Sequence, residues 1–211
     1  MIKLYLVNLQ NVNFKQRSNN FQSGFIPLNI LEDEAPITKL TIQKNISKCL
    51  INRYANNLNK KIEYNKFGKP YINNGLKFNT SNSEDLIVCA VSNEEIGVDI
   101  QYCLPIFEQL DCIFHKKELL KIHSKNPYDN DLFYMIWTAK EAYVKFLGSK
   151  IDDSLRLLDF SLLKIGKNQF GNMYIYIFEM DNYFLSIVSE IDKKIEIYNV
   201  SQQIIIESVK K

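Results

Sequence analysis

The N-terminal part of the chain combines one strand pattern with one helical pattern. Residues 2–9 form a short, mostly apolar run that predicts a β-strand. Residues 15–33 are polar and irregular, and a helix is expected to begin near Pro36. Apolar side chains then recur every four residues as far as about Asn59, which predicts that one helix face packs in the core, formed by Ile46, Leu50, Tyr54 and Leu58.

The middle of the chain predicts strands separated by turns. Residues 68–70, a Gly-Lys-Pro sequence, interrupt the pattern, because proline fixes its own φ and favours an extended conformation in the residue before it. The apolar runs 86–91 and 96–100 are separated by the polar residues 92–95, a pattern typical of a β-hairpin. We therefore expect these two strands to pair with each other.

The second half of the chain predicts a long helix followed by strands. The helix is expected between cap residues at 129–131 and Gly148, with apolar spacing from Phe133, Ile136, Trp137, Val144 and Leu147. After Gly148 the alternation of apolar and polar residues predicts four strands, at 160–165, 174–178, 184–189 and 195–198. This half is therefore expected to fold as a helix followed by an antiparallel sheet.

Composition indicates an ordinary globular protein. The chain has 211 residues, of which 46% are hydrophobic and 24% charged, and its formal net charge of +2 gives no reason to expect nucleic acid or a membrane surface as a partner. The apolar stretch at the N-terminus is too short for a signal peptide, and no segment has the length of a membrane span. We expect a cytoplasmic protein.

The cysteines indicate a reducing compartment and no zinc site. None of the four cysteines forms a CxxC pair. Cys112 and His115 supply only two ligands, whereas structural zinc sites usually have four. Cys89 lies in an apolar run, where a buried and unreactive thiol is expected.

Three oxygen-bearing side chains suggest a cation site. Side chains alternate faces along a strand, so Asp99 and Gln101 should project together, and the second helix carries Glu141. Mg²⁺ sites that handle phosphates commonly use one or two carboxylates, with water and substrate oxygens as the other ligands. In the alternative interpretation Asp99 is a surface acid at a strand end and Glu141 pairs with Lys145 at i,i+4. The three residues alone favour this second interpretation.

Four short motifs change that balance. They are GKPY at 68–71, FNTSNS at 78–83, IGVDIQ at 96–101 and WTAKEAYVK at 137–145. In this order they resemble the GKP, FNxSHS, G(V/I)DIE and W(T/S)xKEAxxK motifs of Sfp-type 4'-phosphopantetheinyl transferases. Each motif alone is weak evidence, whereas the ordered set is specific. The resemblance covers about residues 66–165 and is poor in the N-terminal third.

The resemblance implies an activity and a metal site. Enzymes of this family move the phosphopantetheine arm of coenzyme A onto a serine of an acyl or peptidyl carrier protein and release 3',5'-ADP. By this resemblance Asp99 and Glu141 bind Mg²⁺, and Gln101 stands where a third acidic ligand is usual. Lys145 supplies a second positive charge to the phosphates. Glu141, or a metal-bound water that it orients, accepts the serine proton.

The resemblance also implies residues that contact coenzyme A. Lys69 and Ser81 correspond to family residues that reach its phosphates, and Asn82 stands where the family has a histidine. The departures at Gln101 and Asn82 predict weaker metal binding and weaker or less selective coenzyme A binding. Trp137 is expected in the core.

For the fold, the resemblance implies an α+β architecture of two similar halves related by a pseudo-twofold axis. Each half is a small antiparallel sheet with a long helix packed on it, and the active site lies in the cleft between the halves. The halves are expected at 1–93, contributing to coenzyme A binding, and 94–211, carrying the metal ligands and the catalytic helix. We expect a monomer, with residues 102–122 forming either a carrier docking surface or a structural helix.

Two other functions fit the same residues. The first is a non-catalytic coenzyme A-binding protein that retains the fold, which the departures at Gln101 and Asn82 would explain. The second is a metal-dependent pyrophosphate hydrolase, because the same ligands could activate water.

Overall fold

The computed structural model describes residues 1–10, 39–56, 60–105, 112–125 and 128–200. The α-helices within these ranges are α1 (Lys39–Leu50), α2 (Lys116–Ile122) and α3 (Asn130–Leu147), and short π-helical and 3₁₀ segments span Ile51–Ala55 and Asp153–Leu157. The strands are β1 (Ile2–Asn8), β2 (Glu63–Tyr64), β3 (Pro70–Tyr71), β4 (Lys77–Ser83), β5 (Leu86–Ser92), β6 (Ile96–Tyr102), β7 (Gly166–Phe170), β8 (Met173–Met180), β9 (Tyr183–Ser189) and β10 (Ile195–Asn199).

Eight of these strands form two four-stranded sheets. Sheet 1 has the order β10-β1-β5-β4, and sheet 2 has the order β6-β9-β8-β7. Strands β2 and β3 form a separate antiparallel pair. All neighbours in the two sheets are antiparallel except β10, which runs parallel to β1. The last described strand therefore belongs to the same sheet as the first.

Strand alternation distributes the apolar residues between three packing layers. In β1, Tyr5 and Val7 pack with α1, whereas Leu4 and Leu6 face the opposite way and pack with sheet 2. The same alternation holds in β5, where Cys89 lies on the α1 side. Each fully buried aliphatic side chain stabilises the fold by about 1.5–3 kcal/mol.

The helices cover the outer faces of the two sheets. Helix α1 packs on sheet 1 through Ile42, Ile46 and Leu50. Helix α3 packs on sheet 2 through Ile136, Ala139 and Ala142, among other residues. The two sheets pack against each other through a core that includes Ala90, Val98 and Leu185. The mixed α+β class is thus confirmed.

Several predicted elements are confirmed at their caps and faces. Strand β1 and helix α3 occupy the expected segments. The Asp129 carboxylate accepts a hydrogen bond from the Leu132 N–H at 3.3 Å, and Gly148 ends α3 in the left-handed conformation with φ 62°. Glycine adopts this conformation without the steric cost that a Cβ brings.

The predicted β-hairpin at 86–100 is wrong. Strands β5 and β6 lie in different sheets, where β5 pairs with β1 and β4 and β6 pairs with β9. Strand β5 is apolar on both faces, whereas β6 is apolar only on the face toward the inter-sheet core and carries Gly97, Asp99 and Gln101 on the other face. The polar residues 92–95 therefore cross from one sheet to the other.

Two further strand predictions are corrected. Residues 160–165 are not a strand but turns, in which Phe160 is buried while Leu162 and Ile165 are exposed. Residues 195–198 do form a strand, but β10 pairs in parallel with β1 and does not extend the antiparallel sheet 2. The alternation of apolar and polar residues cannot distinguish a paired strand from a turn, or a parallel pair from an antiparallel one, because it carries no information about the partner strand.

The first helix differs from its prediction in its last turns. Helix α1 ends at Leu50 and continues as a π-helical segment over Ile51–Ala55. Ile46 and Leu50 are fully buried and Tyr54 packs at the edge of the same core, as expected. Pro36, Leu58, Asn59 and the irregular residues 15–33 lie outside the described residues.

The predicted boundary between residues 93 and 94 falls in the connection from sheet 1 to sheet 2. Strand β10 follows that boundary in sequence but pairs in sheet 1. The helices in the described ranges lack the combination of length and apolar character that a membrane-spanning helix requires.

Candidate active site

Strand β6 carries Asp99 toward helix α3. Val98 and Ile100 point into the inter-sheet core, so alternation turns Asp99 and Gln101 to the opposite face, as the sequence predicts. Asp99 is only 1% exposed. The Gln101 amide donates a hydrogen bond to Asp99 Oδ2 at 3.1 Å, which confirms that the two side chains share a face.

Helix α3 brings a cation onto the same carboxylate. The Lys145 ammonium lies 2.6 Å from Asp99 Oδ1 and 3.0 Å from the Ser81 hydroxyl oxygen. Ser81 donates its own hydrogen bond to Asp99 Oδ1 at 2.7 Å. Three of the predicted site residues, from β4, β6 and α3, therefore meet at one point.

The close approach of β6 and α3 depends on Gly97. A Cβ at this position would overlap the Ala142 carbonyl oxygen, and would lie 2.5 Å from the Phe146 backbone nitrogen. Neither backbone group can move without moving the whole helix. The glycine of the IGVDIQ motif is therefore what allows α3 to lie directly on the strand that carries Asp99.

A row of side chains from β4 joins the two sheets beside the site. Strand β6 is one of the two edge strands of sheet 2, and three of its backbone N–H groups donate to side chains of β4. The donor and acceptor pairs are Val98 to Asn79 at 2.9 Å, Ile100 to Ser81 at 3.4 Å, and Tyr102 to Ser83 at 2.9 Å. Alternate side chains of the FNTSNS motif thus satisfy the edge of β6. Of these three side chains only Ser81 was predicted to belong to the site, although the period of two was visible in the sequence.

Glu141 lies one helical turn before Lys145 and is partly exposed. Burial raises the pKa of its carboxyl group, and the negative charge of Asp99 raises it further, while Lys145 partly opposes both effects. A cation held by both carboxylates would relieve this repulsion.

The donor set fits Mg²⁺ held by few protein ligands. Asp99 and Glu141 offer carboxylate oxygens and Gln101 offers an amide oxygen. No cluster of three or more His, Cys, Asp or Glu side chains suited to a metal occurs among the described residues. Mg²⁺ commonly retains several waters and binds one or two carboxylates together with substrate phosphates, so two carboxylates suffice.

Lys69 and Asn82 bind residues outside the group formed by Ser81, Asp99 and Lys145. The Lys69 ammonium, only 14% exposed, contacts Glu95 Oε2 at 3.1 Å. Burial lowers the pKa of Lys69, an effect that Glu95 partly opposes. Asn82 is exposed and its amide donates to Gln43 Oε1 at 3.1 Å. Neither side chain forms a hydrogen bond or ion pair with Ser81, Asp99 or Lys145.

A buried ion pair supports α3 from the other side and was missed by the sequence analysis. Lys140 Nζ lies 3.1 Å from Glu118 Oε2, and both side chains are at most 1% exposed. The ammonium also donates to the carbonyls of Leu155 and Leu158 at 2.7 and 2.9 Å. The available signal was the position of Lys140, four residues after the buried Ile136 and so on the core face of the helix.

The cysteines, His115 and Trp137, which the sequence also singled out, occupy ordinary structural positions. All four cysteines are free thiols, and His115 forms the N-cap of α2, where its Nδ1 accepts from the Lys117 N–H. Burial raises the pKa of the Cys89 thiol to about 12. Trp137 is partly buried and packs at the edge of the α3 core. Residues 106–111 of the predicted docking segment lie outside the described residues.

Comparison with known proteins agrees with the motifs. A profile described as the 4'-phosphopantetheinyl transferase superfamily matches residues 95–201, about half of the chain. This segment contains Asp99, Gln101, Glu141 and Lys145. The chain therefore belongs to the 4'-phosphopantetheinyl transferase superfamily.

Individual relatives carry the same name. The chain is 35% identical over 86 residues to 4'-phosphopantetheinyl transferase gsp of Aneurinibacillus migulanus, covering 40% of this chain and 36% of that protein. It is 34% identical over 101 residues to 4'-phosphopantetheinyl transferase Sfp of Bacillus subtilis (46% and 44% covered). It is 35% identical over 102 residues to the transferase HetI of Nostoc (43% of each). In these three matches the chain thus spans less than half of each relative's length.

Proposed function

We propose that this protein transfers 4'-phosphopantetheine from coenzyme A to a serine of an acyl or peptidyl carrier protein, releasing 3',5'-ADP. The observation that carries the proposal is the meeting of Asp99 on β6 with Lys145 on α3, one turn from Glu141. Family membership supports the same conclusion. Mg²⁺ and coenzyme A are the proposed cofactor and co-substrate.

Each site residue has a proposed role. Asp99 and Glu141 bind Mg²⁺, with Gln101 as a third, neutral ligand. When bound, Mg²⁺ would supply positive charge to the diphosphate oxygens of coenzyme A. Lys145 and Ser81, which both donate to Asp99 Oδ1, are donors suited to the same phosphates.

Two other residues are expected to contact coenzyme A. Asn82 offers an exposed neutral amide to it. For Lys69 a phosphate contact requires that the coenzyme take the place of Glu95 as its charged acceptor.

The proposed reaction is a direct displacement. The serine oxygen of the carrier attacks the β-phosphorus of coenzyme A, forming a new P–O bond. The bond from that phosphorus to the bridging oxygen breaks, and 3',5'-ADP leaves with the electron pair. Glu141 accepts the serine proton as general base. The positive charge of Lys145 opposes the negative charge that accumulates on the phosphoryl oxygens.

The wider architecture and setting are part of the proposal. The two sheets, each with one covering helix, support a pseudo-twofold relation between 1–93 and 94–211, with the active site in the cleft between them. A site built within one chain supports a monomer. Four free cysteines support a reducing, cytoplasmic location.

The test is a transfer assay with a matched pair of variants. Incubation with coenzyme A, Mg²⁺ and several apo carrier proteins should add one phosphopantetheine to the mass of a carrier. Asp99→Asn removes the buried charge without changing side-chain size and should lower the rate roughly 100-fold. Asp192→Asn removes an equally sized carboxylate from a pair that is about half exposed, and should leave the rate unchanged.

The outcomes separate the three candidate functions. Binding of coenzyme A in a calorimeter without transfer to any carrier would support a non-catalytic binding protein, which the departures at Gln101 and Asn82 motivate. Release of 3',5'-ADP without any carrier would support a pyrophosphate hydrolase. Transfer that Asp99→Asn does not slow would contradict the proposed site.

A further inference from the structure

Lys69 joins the beginning of β6 to the end of α3. Its ammonium donates to the Phe146 carbonyl at 3.1 Å, near the C-terminus of α3, and to the Ile96 carbonyl at 3.3 Å, at the start of β6. Glu95 Oε2, at 3.1 Å, is its third acceptor. All three N–H groups of the ammonium therefore have protein partners.

The segment before Lys69 binds the same helix end. The Asn65 amide donates to the Gly148 carbonyl at 2.7 Å, and its oxygen accepts from the backbone N–H of Lys69 at 2.9 Å. The carbonyls at a helix C-terminus have no partner within the helix and carry partial negative charge. A cation and an amide from one loop thus satisfy two carbonyls at the end of α3.

We propose that Lys69 is a positioning residue for the transfer reaction: its ammonium holds the C-terminus of α3 against β6 and so keeps Glu141 and Lys145 opposite Asp99. The inference rests on the proposed function for its catalytic consequence. Its structural part concerns only how α3 is held on β6.

Besides the ion pair of Lys145 with Asp99, two features hold the end of α3 on β6. Gly97 permits the close lateral approach near Ala142 and Phe146, but a glycine makes no directional bond that would hold the helix there. Lys69 supplies that bond at Phe146, the residue directly after Lys145. Loss of the bond should let the last turn of α3 fray, and that turn carries Lys145.

The positioning role is separable from a phosphate contact. An incoming anion would compete with Glu95 for only one of the three Lys69 donors. A displaced Glu95 would keep its other partner, because the Lys77 ammonium lies 2.8 Å from Glu95 Oε1. The two carbonyl contacts would remain. Glu95→Gln therefore serves as the control, because it removes the charged partner and leaves the bonds to α3 and β6.

The experiment combines hydrogen exchange with kinetics on the full chain. In Lys69→Met, which keeps the length of the side chain and removes the ammonium, exchange of the amides at 144–149 should accelerate roughly tenfold. Exchange in β8 and β9 should not change. In Glu95→Gln, exchange at 144–149 should stay as in the wild type. Lys69→Arg, which retains charge and donors but changes their geometry, should show an exchange rate between those of the wild type and Lys69→Met. If Lys69→Met does not fold, exchange at 144–149 in Lys69→Arg as slow as in the wild type would overturn the proposal.

Kinetics distinguishes positioning from binding. A positioning role predicts that kcat falls about tenfold or more in Lys69→Met, whereas loss of a phosphate contact alone would raise the KM for coenzyme A and leave kcat unchanged. Unchanged exchange at 144–149 would overturn the proposal, and a raised KM with unchanged exchange would identify Lys69 as a phosphate ligand only. If the wild type transfers nothing, the proposed function fails, yet the exchange measurement still decides whether Lys69 holds α3.

Discussion

The two oxygens of the Asp99 carboxylate have different partners. Oδ1 accepts from Ser81 and Lys145, and Oδ2 accepts from the Gln101 amide. The amide nitrogen of Gln101 thus faces the Asp99 carboxylate. An acidic residue at position 101 would instead repel that carboxylate. Without a metal, glutamine is the better neighbour, because it donates a hydrogen bond to the buried charge.

Gln101→Glu should therefore make the protein's stability depend more on bound Mg²⁺ and should lower the Mg²⁺ concentration that gives half the maximal rate. Loss of the hydrogen bond and the new repulsion should destabilise the metal-free protein by about 0.5–1.5 kcal/mol, and the added carboxylate should strengthen Mg²⁺ binding. The measurement is the melting temperature in EDTA and in Mg²⁺, together with the Mg²⁺ concentration that gives half the maximal rate. Gln169→Glu, on the exposed edge strand β7, adds the same charge away from the site and is the control. If the wild type and Gln101→Glu need the same Mg²⁺ concentration for half the maximal rate, this position does not contact the metal.

Lys140 and Glu118 form a buried ion pair, and removal of either residue should strongly destabilise the protein. Burial raises the pKa of Glu118 and lowers that of Lys140, and each charge opposes the effect on the other. Glu118 also accepts from the backbone N–H groups of His115 and Phe160, both at 2.7 Å. The pair thus joins α2, α3 and the turn at Phe160.

Lys140→Met should lower the free energy of unfolding by about 3–5 kcal/mol, because it leaves a buried carboxylate without its cation. Lys117→Met removes one member of an exposed pair with Asp159, in which the lysine side chain is 68% exposed, and should cost less than about 1 kcal/mol. Urea unfolding of the two variants gives both values. Equal losses would show that burial does not strengthen the Lys140 interaction.

The contact between β6 and α3 is the element pair that builds the site. Gly97 allows the approach, the β4 side chains satisfy the outer edge of β6, and Lys69 binds the helix end. The strand supplies one carboxylate and the helix supplies the other together with Lys145. A small change in the separation of these two elements should therefore affect catalysis more than stability.

Gly97→Ala tests this separation. The new methyl group would press on the Ala142 carbonyl and the Phe146 backbone, which should cost about 1–3 kcal/mol and move Lys145 away from Asp99. We expect the transfer rate to fall by at least about 100-fold, since misplacement by about 1 Å can have that effect. Gly166→Ala is the control, because its φ of +98° makes an alanine strained but its Cβ would meet nothing within 4 Å. That variant should lose stability and keep activity; a Gly97→Ala protein with full activity would refute the argument.

For the whole molecule, the two sheets share a core and are further linked by strand β10. Ile2, Val88 and Ala90 of sheet 1 pack with Val98 and Ile187 of sheet 2. Strand β10 follows sheet 2 in sequence and pairs with β1 in sheet 1. Neither sheet can lose its structure without exposing apolar surface of the other.

The two sheets should therefore unfold in one transition. Trp137, the single tryptophan, reports on the α3 side through its fluorescence, and alkylation of Cys89 reports on sheet 1. Cys89 is fully buried and burial raises its pKa to about 12, so it should react only on unfolding. The exposed Cys112 should react at every urea concentration and is the internal control. Midpoints that differ between the two probes would mean that the sheets unfold separately.

Local patterns were enough to predict much of this protein. The caps at Asp129 and Gly148, the core stripe of Ile46 and Leu50, and the shared face of Asp99 and Gln101 follow from helix and strand periodicity, which acts over a few residues. The ordered motifs predicted the family. Long-range contacts were not accessible in the same way, because an apolar strand pattern does not specify its partner.

Tertiary packing determined the remaining features. It placed β5 and β6 in different sheets, returned β10 to β1, and made turns of 160–165. It also gave Lys140 a buried partner and directed Lys69 to the end of α3. In each case a side chain or backbone group is satisfied by a residue far away in sequence. Such partners are selected by the free energy of the assembled core, to which local periodicity is blind.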